Sequence, residues 1–290
     1  MKALQKSPIS ADRAFEYKYL EAPHFDPNWH FHSEYQLFIV LHGTGTRFIG
    51  DHVHFFKPGD LVLTGPNLPH LWRSDPEYFD GDSQLYTQGI VIYFPEDFFG
   101  NQFLQKMELY QIRQLLAKAA RGISFGGRTT ERIKRMMLQL LNKKDFDSIL
   151  QLLNILQVLA KSDDYHLLAN PEYSNSLKES DTERMNKVHA YVMKNFREKI
   201  TLDEVAALAN MTASSFSRYF KTHSNKTFSE FLTGIRIGYS CKLIIEKKLS
   251  VTQACYDSGF NTLSNFNRQF KAYTHYSPLA FRNKYMGIRE

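Results

Sequence analysis

Two cysteines are all that this 290-residue chain contains. Cys241 and Cys255 fall in segments with helical spacing and apolar neighbours. They are read as reduced packing residues, and a disulfide scaffold is excluded. No run reaches the ~18 uninterrupted apolar residues of a membrane-spanning helix, so no membrane partner is expected. The opening stretch MKALQKSPISADRAFEY lacks the apolar core of a secretory signal, and the expectation is a cytoplasmic protein. Fifteen glycines and ten prolines are too few for a collagenous or low-complexity chain. What is present is ordinary for a soluble protein: 43% hydrophobic and 23% charged residues. The length suffices for two domains, each with its own core.

The charge is unevenly placed. Residues 181–290 hold 17 Lys+Arg against 9 Asp+Glu, or +8, and residues 1–180 hold the other 19 and 21, or −2. A basic excess confined to one part of the chain points to a polyanion partner for that part.

Residues 28–98 read as short strands. YQLFIVL (35–41), TRFIG (46–50), HVHFF (52–56), DLVLTG (60–65) and GIVIYF (89–94) are rich in β-branched and aromatic residues, punctuated by Gly, Pro, Asn and Asp. This spacing fits a small all-β sandwich or barrel. Apolar residues then recur at helical spacing over 98–119, about 128–142 and 146–161, the last with a stripe of Ile149, Leu152, Leu153, Leu156 and Leu159. Residues 162–181 are polar and read as a linker, and the pattern is helical from 183 onward. The expected division is 1–98 as a β domain, 99–161 as helices, 162–181 as linker and 182–290 as an all-α domain.

One phrase occurs twice in the last part. SSFSRYFK (214–221) and SNFNRQFK (264–271) both fit Ser-x-Phe-x-Arg-x-Phe-Lys. Before the first, Thr201 and Glu204 form the capping box of a short helix, and Thr212 caps the next. Two short helices joined by a tight turn make a helix-turn-helix. Phe216 and Phe220, four apart, share an inward face, which leaves Ser214, Ser217, Arg218 and Lys221 outward. LSVTQACYDSGF (249–260) and the helix after it repeat the unit, with Phe266 and Phe270 inward and Ser264, Asn265, Asn267, Arg268 and Lys271 outward. Arg pairs bidentately with guanine and Asn with adenine, while Lys and Ser reach phosphates. Between the units a helix over about 228–247 would be ~30 Å long. Successive major grooves on one face of B-DNA lie roughly 34 Å apart, so such a spacer suits two recognition helices in adjacent grooves.

The run from Thr201 to Arg282 resembles the DNA-binding domain of AraC/XylS-type transcription regulators. The resemblance is carried by LDEVAALANMTASSFSRYFK, the pair Arg236–Ile237, SVTQACYDSGFNTLSNFNRQFK and the closing SPLAFR. It implies that Ser214, Ser217 and Arg218 read bases in one groove. Leu263, Ser264, Asn265, Asn267 and Arg268 would form the equivalent face in the next, with Lys221 and Lys271 on the DNA backbone. Gly259–Phe260 would hold the second turn and Pro278 would start the terminal helix. Asn225 and His275 stand where the family usually has Gly, and both tolerate positive φ better than most residues. Leu263 is apolar and suits a thymine methyl.

Seven of the 11 histidines lie between residues 24 and 70. His30-x-His32, followed by His70 after PGDLVLTGPNLP, resembles a cupin barrel, whose metal-binding members use His-x-His, a Glu shortly after and a later His. Gln36 stands at the Glu position, and Glu34 is an irregular substitute. Three histidines and a carboxylate suit Fe(II), Mn(II) or Zn(II), so a metal-dependent cupin oxygenase or isomerase is the alternative. The carboxylate is out of register, and the preferred reading is a sensor that needs no cofactor, metal or catalysis. By the AraC-type resemblance, residues 1–98 are a cupin-like effector-binding barrel and 99–161 a dimerisation segment. The candidate effector contacts are His30, His32, Gln36, Arg47, His70 and Trp72, which suit a sugar or a carboxylate. Expected partners are double-stranded DNA, a small-molecule effector, a second copy in a homodimer and, for an activator, RNA polymerase.

Overall fold

The computed structural model describes residues 9–10, 12–98, 100, 102–173, 179–245 and 249–286. Part of the expected linker (174–178) and the end of the expected spacer helix (246–247) lie outside them. The chain divides into two compact units, with the division near residue 175.

In the first unit the strands are β1 (Glu16–Ala22), β2 (Tyr35–His42), β3 (Gly45–Ile49), β4 (His52–Phe56), β5 (Leu61–Thr64), β6 (His70–Ser74), β7 (Thr87–Phe94), β8 (Ile123–Phe125) and β9 (Tyr165–Leu167). They form a six-stranded sheet in the order β1-β7-β2-β5-β8-β9 and a three-stranded sheet in the order β4-β3-β6. The cupin-like all-β expectation thus takes the form of two sheets, and the hydrogen-bonded strands do not close into one barrel. Side chains alternate between the faces of the large sheet. Leu37, Ile39, Leu61, Leu63, Ile90 and Ile92 enter one core, while Phe38, Val40, Val62 and Val91 enter another with Ile49, Phe56 and Trp72 of the small sheet. The register agrees: Leu37 stands opposite Leu63 and Ile92, and Phe38 opposite Val62 and Val91. Burial on both faces is why YQLFIVL reads as an unbroken apolar run rather than an alternating one.

The first core is closed by α1 (Tyr110–Ala119), α2 (Gly127–Leu140) and α3 (Asp145–Ala160), through Leu115, Leu116, Ile133, Met137, Leu152, Ile155, Leu156 and Leu159. Helix α1 starts at Tyr110, so the helical spacing from 98 onward yields a helix only over its second half. The segment 99–161 is not purely helical. β8 lies between α1 and α2 and pairs with β5, and β9, inside the expected linker, pairs with β8. Three-residue strands are too short to show a period, and only their non-local partners define them. No helix among the described residues is long and apolar enough to cross a membrane.

From residue 179 on, the described residues of the second unit are all helical apart from turns: α4 (Glu179–Asn195), α5 (Leu202–Leu208), α6 (Ala213–Ser224), α7 (Phe228–Ile245), α8 (Val251–Asp257), α9 (Leu263–Thr274) and α10 (Pro278–Met286). Helix α7 is the centre of the unit, and Arg236 on it ties it to the chain after α4. Its Nε donates to the Phe196 carbonyl at 2.7 Å and its Nη2 to the Glu198 carbonyl at 2.7 Å. The guanidinium thus satisfies carbonyls of the turn that follows α4, which has no ladder partner of its own.

Candidate functional site

The two repeated phrases occupy α6 and α9, and local chemistry fixes both helices at both ends. Thr212 Oγ1 accepts the Ser215 amide and Thr262 Oγ1 the Asn265 amide, each as an N-cap. The preceding helices open on capping boxes, Thr201 with Glu204 on α5 and Ser250 with Gln253 on α8. Asn225 and His275 close α6 and α9 in the left-handed region, at φ 53° and 63°. The two departures from glycine therefore keep the turn that glycine would make. Gly259 sets the turn between α8 and α9 at φ 86°, where an added Cβ would lie 2.7 Å from the Arg197 carbonyl oxygen.

Aromatic rings hold both helices down. Phe216 and Phe220 are fully buried, with ring centroids 5.5 Å apart. Phe220 meets Phe228 at 5.6 Å and Phe231 at 5.2 Å. Fifty positions on, Phe266 and Phe270 are also fully buried and lie 5.4 Å apart, and Phe270 meets Phe281 at 5.3 Å. These ring contacts, all edge-to-face except the tilted Phe216–Phe220 pair, fix the rotation of each helix about its axis. Ser214, Ser217, Arg218 and Lys221 are consequently exposed on α6, as are Ser264, Asn265, Asn267, Arg268 and Lys271 on α9, while Leu263 is half-buried at the start of α9. On α9, Arg268 Nη2 donates to Asn265 Oδ1 at 3.0 Å. On α6 the residue three before Arg218 is Ser215, whose hydroxyl accepts from Thr212 Oγ1 at 3.0 Å.

The six candidate effector contacts fall into two groups. His30, His32, Gln36 and His70 meet in the first. Gln36 Oε1 lies 3.1 Å from His32 Nε2 and 3.1 Å from His70 Nε2. The His30 ring is 4.5 Å from His70, centroid to centroid, and a two-way backbone bridge joins these residues. Burial holds the imidazoles of His32 and His70 below the usual histidine range, His70 well below, with neighbouring histidines adding to the effect. Glu34, the irregular carboxylate, is buried on the other side of His32. Its Oε2 is 3.5 Å from Nδ1, away from the point where the Nε2 atoms meet.

Arg47 and Trp72 form the second group. They stand opposite each other on β3 and β6 and both reach Asp60: Arg47 Nε at 3.1 Å and Trp72 Nε1 at 3.1 Å from Oδ2. Arg47 Nη2 also donates to Ser124 Oγ on β8 at 3.3 Å. Trp72 is 5% exposed and packs edge-on against Phe38, so no ring face is free for a sugar in this arrangement. Asp60 and Ser124 are the members that sequence reasoning missed. Asp60 sits in the turn signal PGD and Ser124 in a three-residue strand, so neither carries a pattern.

Two sequence-family models match the chain: an AraC-like ligand binding domain over residues 14–101 and a helix-turn-helix domain over 205–284. The uncharacterized HTH-type transcriptional regulator YdeC of Bacillus subtilis is 31% identical over 99 residues, 34% of this chain and 34% of YdeC, so the match spans about a third of that relative. The HTH-type transcriptional activator RhaS of Salmonella arizonae is 23% identical over 266 residues, 87% of this chain and 86% of RhaS. Among solved structures, ToxT of Vibrio cholerae with an unsaturated fatty acid bound is 16% identical and aligns over 95% of this chain and 97% of its own, with a TM-score of 0.36. With a ligand-binding family matching the β-rich unit, a helix-turn-helix family the helical one, and regulators of this kind among its relatives, the chain belongs to the AraC family of transcriptional regulators.

Proposed function

We propose that the chain binds double-stranded DNA sequence-specifically through α6 and α9 in adjacent major grooves, under the control of a small molecule bound in the first unit. One observation carries the reading. Two helices with the same caps and the same buried phenylalanines each present an exposed face of small polar residues, one arginine and one lysine. Ser214, Ser217 and Arg218 on α6, and Leu263, Ser264, Asn265, Asn267 and Arg268 on α9, meet base edges. Lys221 and Lys271 meet phosphates. The net +8 of residues 181–290 supplies the non-specific attraction. Helix α7, 18 residues as described, is ~27 Å long, which suits the groove spacing.

In the first unit the effector contacts are His30, His32, Gln36, Arg47, His70 and Trp72. Arg47 Nη1 is buried without a hydrogen-bond partner, the donor that a carboxylate or a sugar hydroxyl would take. A homodimer fits the first unit, because Leu138 on α2 and Phe146 and Leu150 on α3 remain exposed at 38, 66 and 43%. If the protein activates transcription, RNA polymerase is a further partner. The test is selection of bound sequences from a random DNA pool by full-length protein. The expected product is a non-repeating half-site spanning two groove segments about one helical turn apart. Recovery of no consensus, or of one short groove segment only, refutes the two-helix reading.

A further inference from the structure

The histidine cluster has hydrogen bonding that a purely organic effector site does not call for. Each of its three rings places Nδ1 on a backbone carbonyl: His30 on Asn28 at 2.7 Å, His32 on Glu34 at 3.0 Å and His70 on Leu68 at 2.7 Å. A carbonyl oxygen only accepts, so each Nδ1 carries the hydrogen, and a neutral imidazole then has a bare lone pair on Nε2. Three such lone pairs come together here. The ligand atoms of His30, His32 and His70 lie within 4.8 Å of one another. The fourth member is Gln36 Oε1, another acceptor, 3.1 Å from two of the Nε2 atoms. Acceptors facing acceptors with no proton between them repel, and either a cation among them or a turned Gln36 amide removes that repulsion. Two donors that share one ion at ~2.0–2.1 Å, at roughly tetrahedral or octahedral angles, are about 3.0–3.4 Å apart. The Nε2–Oε1 spacing of 3.1 Å falls in that range, while the histidine ligand atoms, within 4.8 Å of one another, must draw closer together on an ion.

A second observation points the same way. Glu34 is 4% exposed, and its Oε2 has no hydrogen-bond partner. A buried carboxylate needs a compensating charge, and a dication across the His32 ring supplies one. A carbonyl or carboxylate behind each ligating imidazole is also how proteins orient metal-binding histidines.

We propose that His30, His32 and His70, with the amide oxygen of Gln36, bind a divalent first-row transition-metal ion, with Glu34 as an outer carboxylate behind His32. This rests on the reading of the cluster as part of the unit's ligand site, and it departs from the expectation of a metal-free sensor. Imidazole nitrogens favour Zn(II), Ni(II), Cu(II) and Fe(II) over Mg(II) and Ca(II). His30, the half-buried member, is the side from which an ion enters. Gln36 also defines the rival arrangement. With its amide turned, its two N–H groups would each meet an imidazole lone pair and close the cluster without an ion.

The test uses chelator-treated full-length protein titrated with Co(II), followed by visible ligand-field absorption and by metal content after desalting. One Co(II) per chain, displaced by Zn(II), is expected. His32→Ala and His70→Ala abolish binding. Because those buried replacements can unfold the unit, two milder variants are read beside them, with circular dichroism to confirm folding. His30→Ala and Glu34→Gln each weaken Co(II) binding about 10–100-fold. Gln36→Glu, which has no N–H to give, binds at least about tenfold tighter. No Co(II) absorption in the wild-type protein overturns the proposal. So does wild-type affinity in folded His30→Ala and Glu34→Gln, or a Gln36→Glu variant that loses thermal stability and gains no Co(II) binding. Ion binding is measured without DNA, so failure to bind Co(II) removes this proposal alone, and failure to bind DNA removes the regulator reading alone.

Discussion

Arg268→Ala separates base reading from general attraction to DNA. Arg268 is exposed on α9, and its Nη2 is already engaged by Asn265 Oδ1 at 3.0 Å. That contact orients the guanidinium before DNA arrives, so less rotamer freedom is lost on binding. A bidentate arginine–guanine pair contributes about 1–3 kcal/mol of discrimination, and its removal lowers affinity for the selected site about 5–150-fold. The loss is confined to one base position: operators altered there bind wild type as weakly as the selected operator binds the variant. Arg268→Lys does not restore the preference, because an ammonium lacks the planar fork. Fluorescence anisotropy with the selected operator and its single-base variants, at several salt concentrations, reads both quantities. Equal weakening on every operator, with the salt slope reduced by about one, would show Arg268 on a phosphate instead and refute the assignment of this face.

Lys221→Ala shows that phosphate pattern: uniform weakening on all sequences and a log K against log salt slope lower by about one, read in the same titrations. Phe270→Ala leaves a cavity beside Phe266 and Phe281 and costs about 3–5 kcal/mol. Trp29 and Trp72 both lie in the first unit, so the tryptophan-fluorescence transition stays in place while helical circular dichroism melts earlier. Gly259→Ala forces a side chain into φ 86° against the Arg197 carbonyl and destabilises the second unit by at least about 1–2 kcal/mol, seen as a lower melting temperature by circular dichroism. Phe146→Asp combined with Leu150→Asp shifts sedimentation from dimer toward monomer and leaves the melting of the first unit within about 1 kcal/mol, since both side chains are exposed.

The second unit was legible because its determinants are local. Caps act over three residues, phenylalanine pairs over four, and the phrase is written twice. Even Asn225 and His275, which depart from the family's glycine, carried a readable consequence in their tolerance of positive φ. The first unit was legible only in its central strands. Strand β1, EYKYLEA, is an edge strand with mostly half-buried or exposed side chains, so its composition gives no apolar signal. Strands β8 and β9 exist only through pairing with β5 and with each other. The same limit divided the candidate effector contacts. His30, His32 and His70 stood out as a motif, but the attachment of Arg47 and Trp72 to Asp60 depends on the placing of β3 and β6 against the start of β5. That is a non-local fact which spacing does not carry.

The two helix-turn-helix units differ in an orderly way. At an offset of fifty the interior is nearly copied: Thr212 and Thr262 as caps, Phe216 and Phe266, Phe220 and Phe270, Phe231 and Phe281. Packing allows little change there, because each ring is wedged between others. Arg218 with Arg268 and Lys221 with Lys271 are copied as well. Among the other positions Ser214 and Ser264 agree, but Ala213 becomes Leu263, Ser215 becomes Asn265 and Ser217 becomes Asn267. The Ser215-to-Asn265 change alters even a copied residue, since Arg268 gains a side-chain acceptor where Ser215 instead bonds its own cap. On the proposed reading the two arginines are therefore unequal readers, with the one on α9 better preorganised. On the same reading a single protomer has a direction on DNA, and any symmetry in the operator comes from a second copy of the chain and not from the internal repeat.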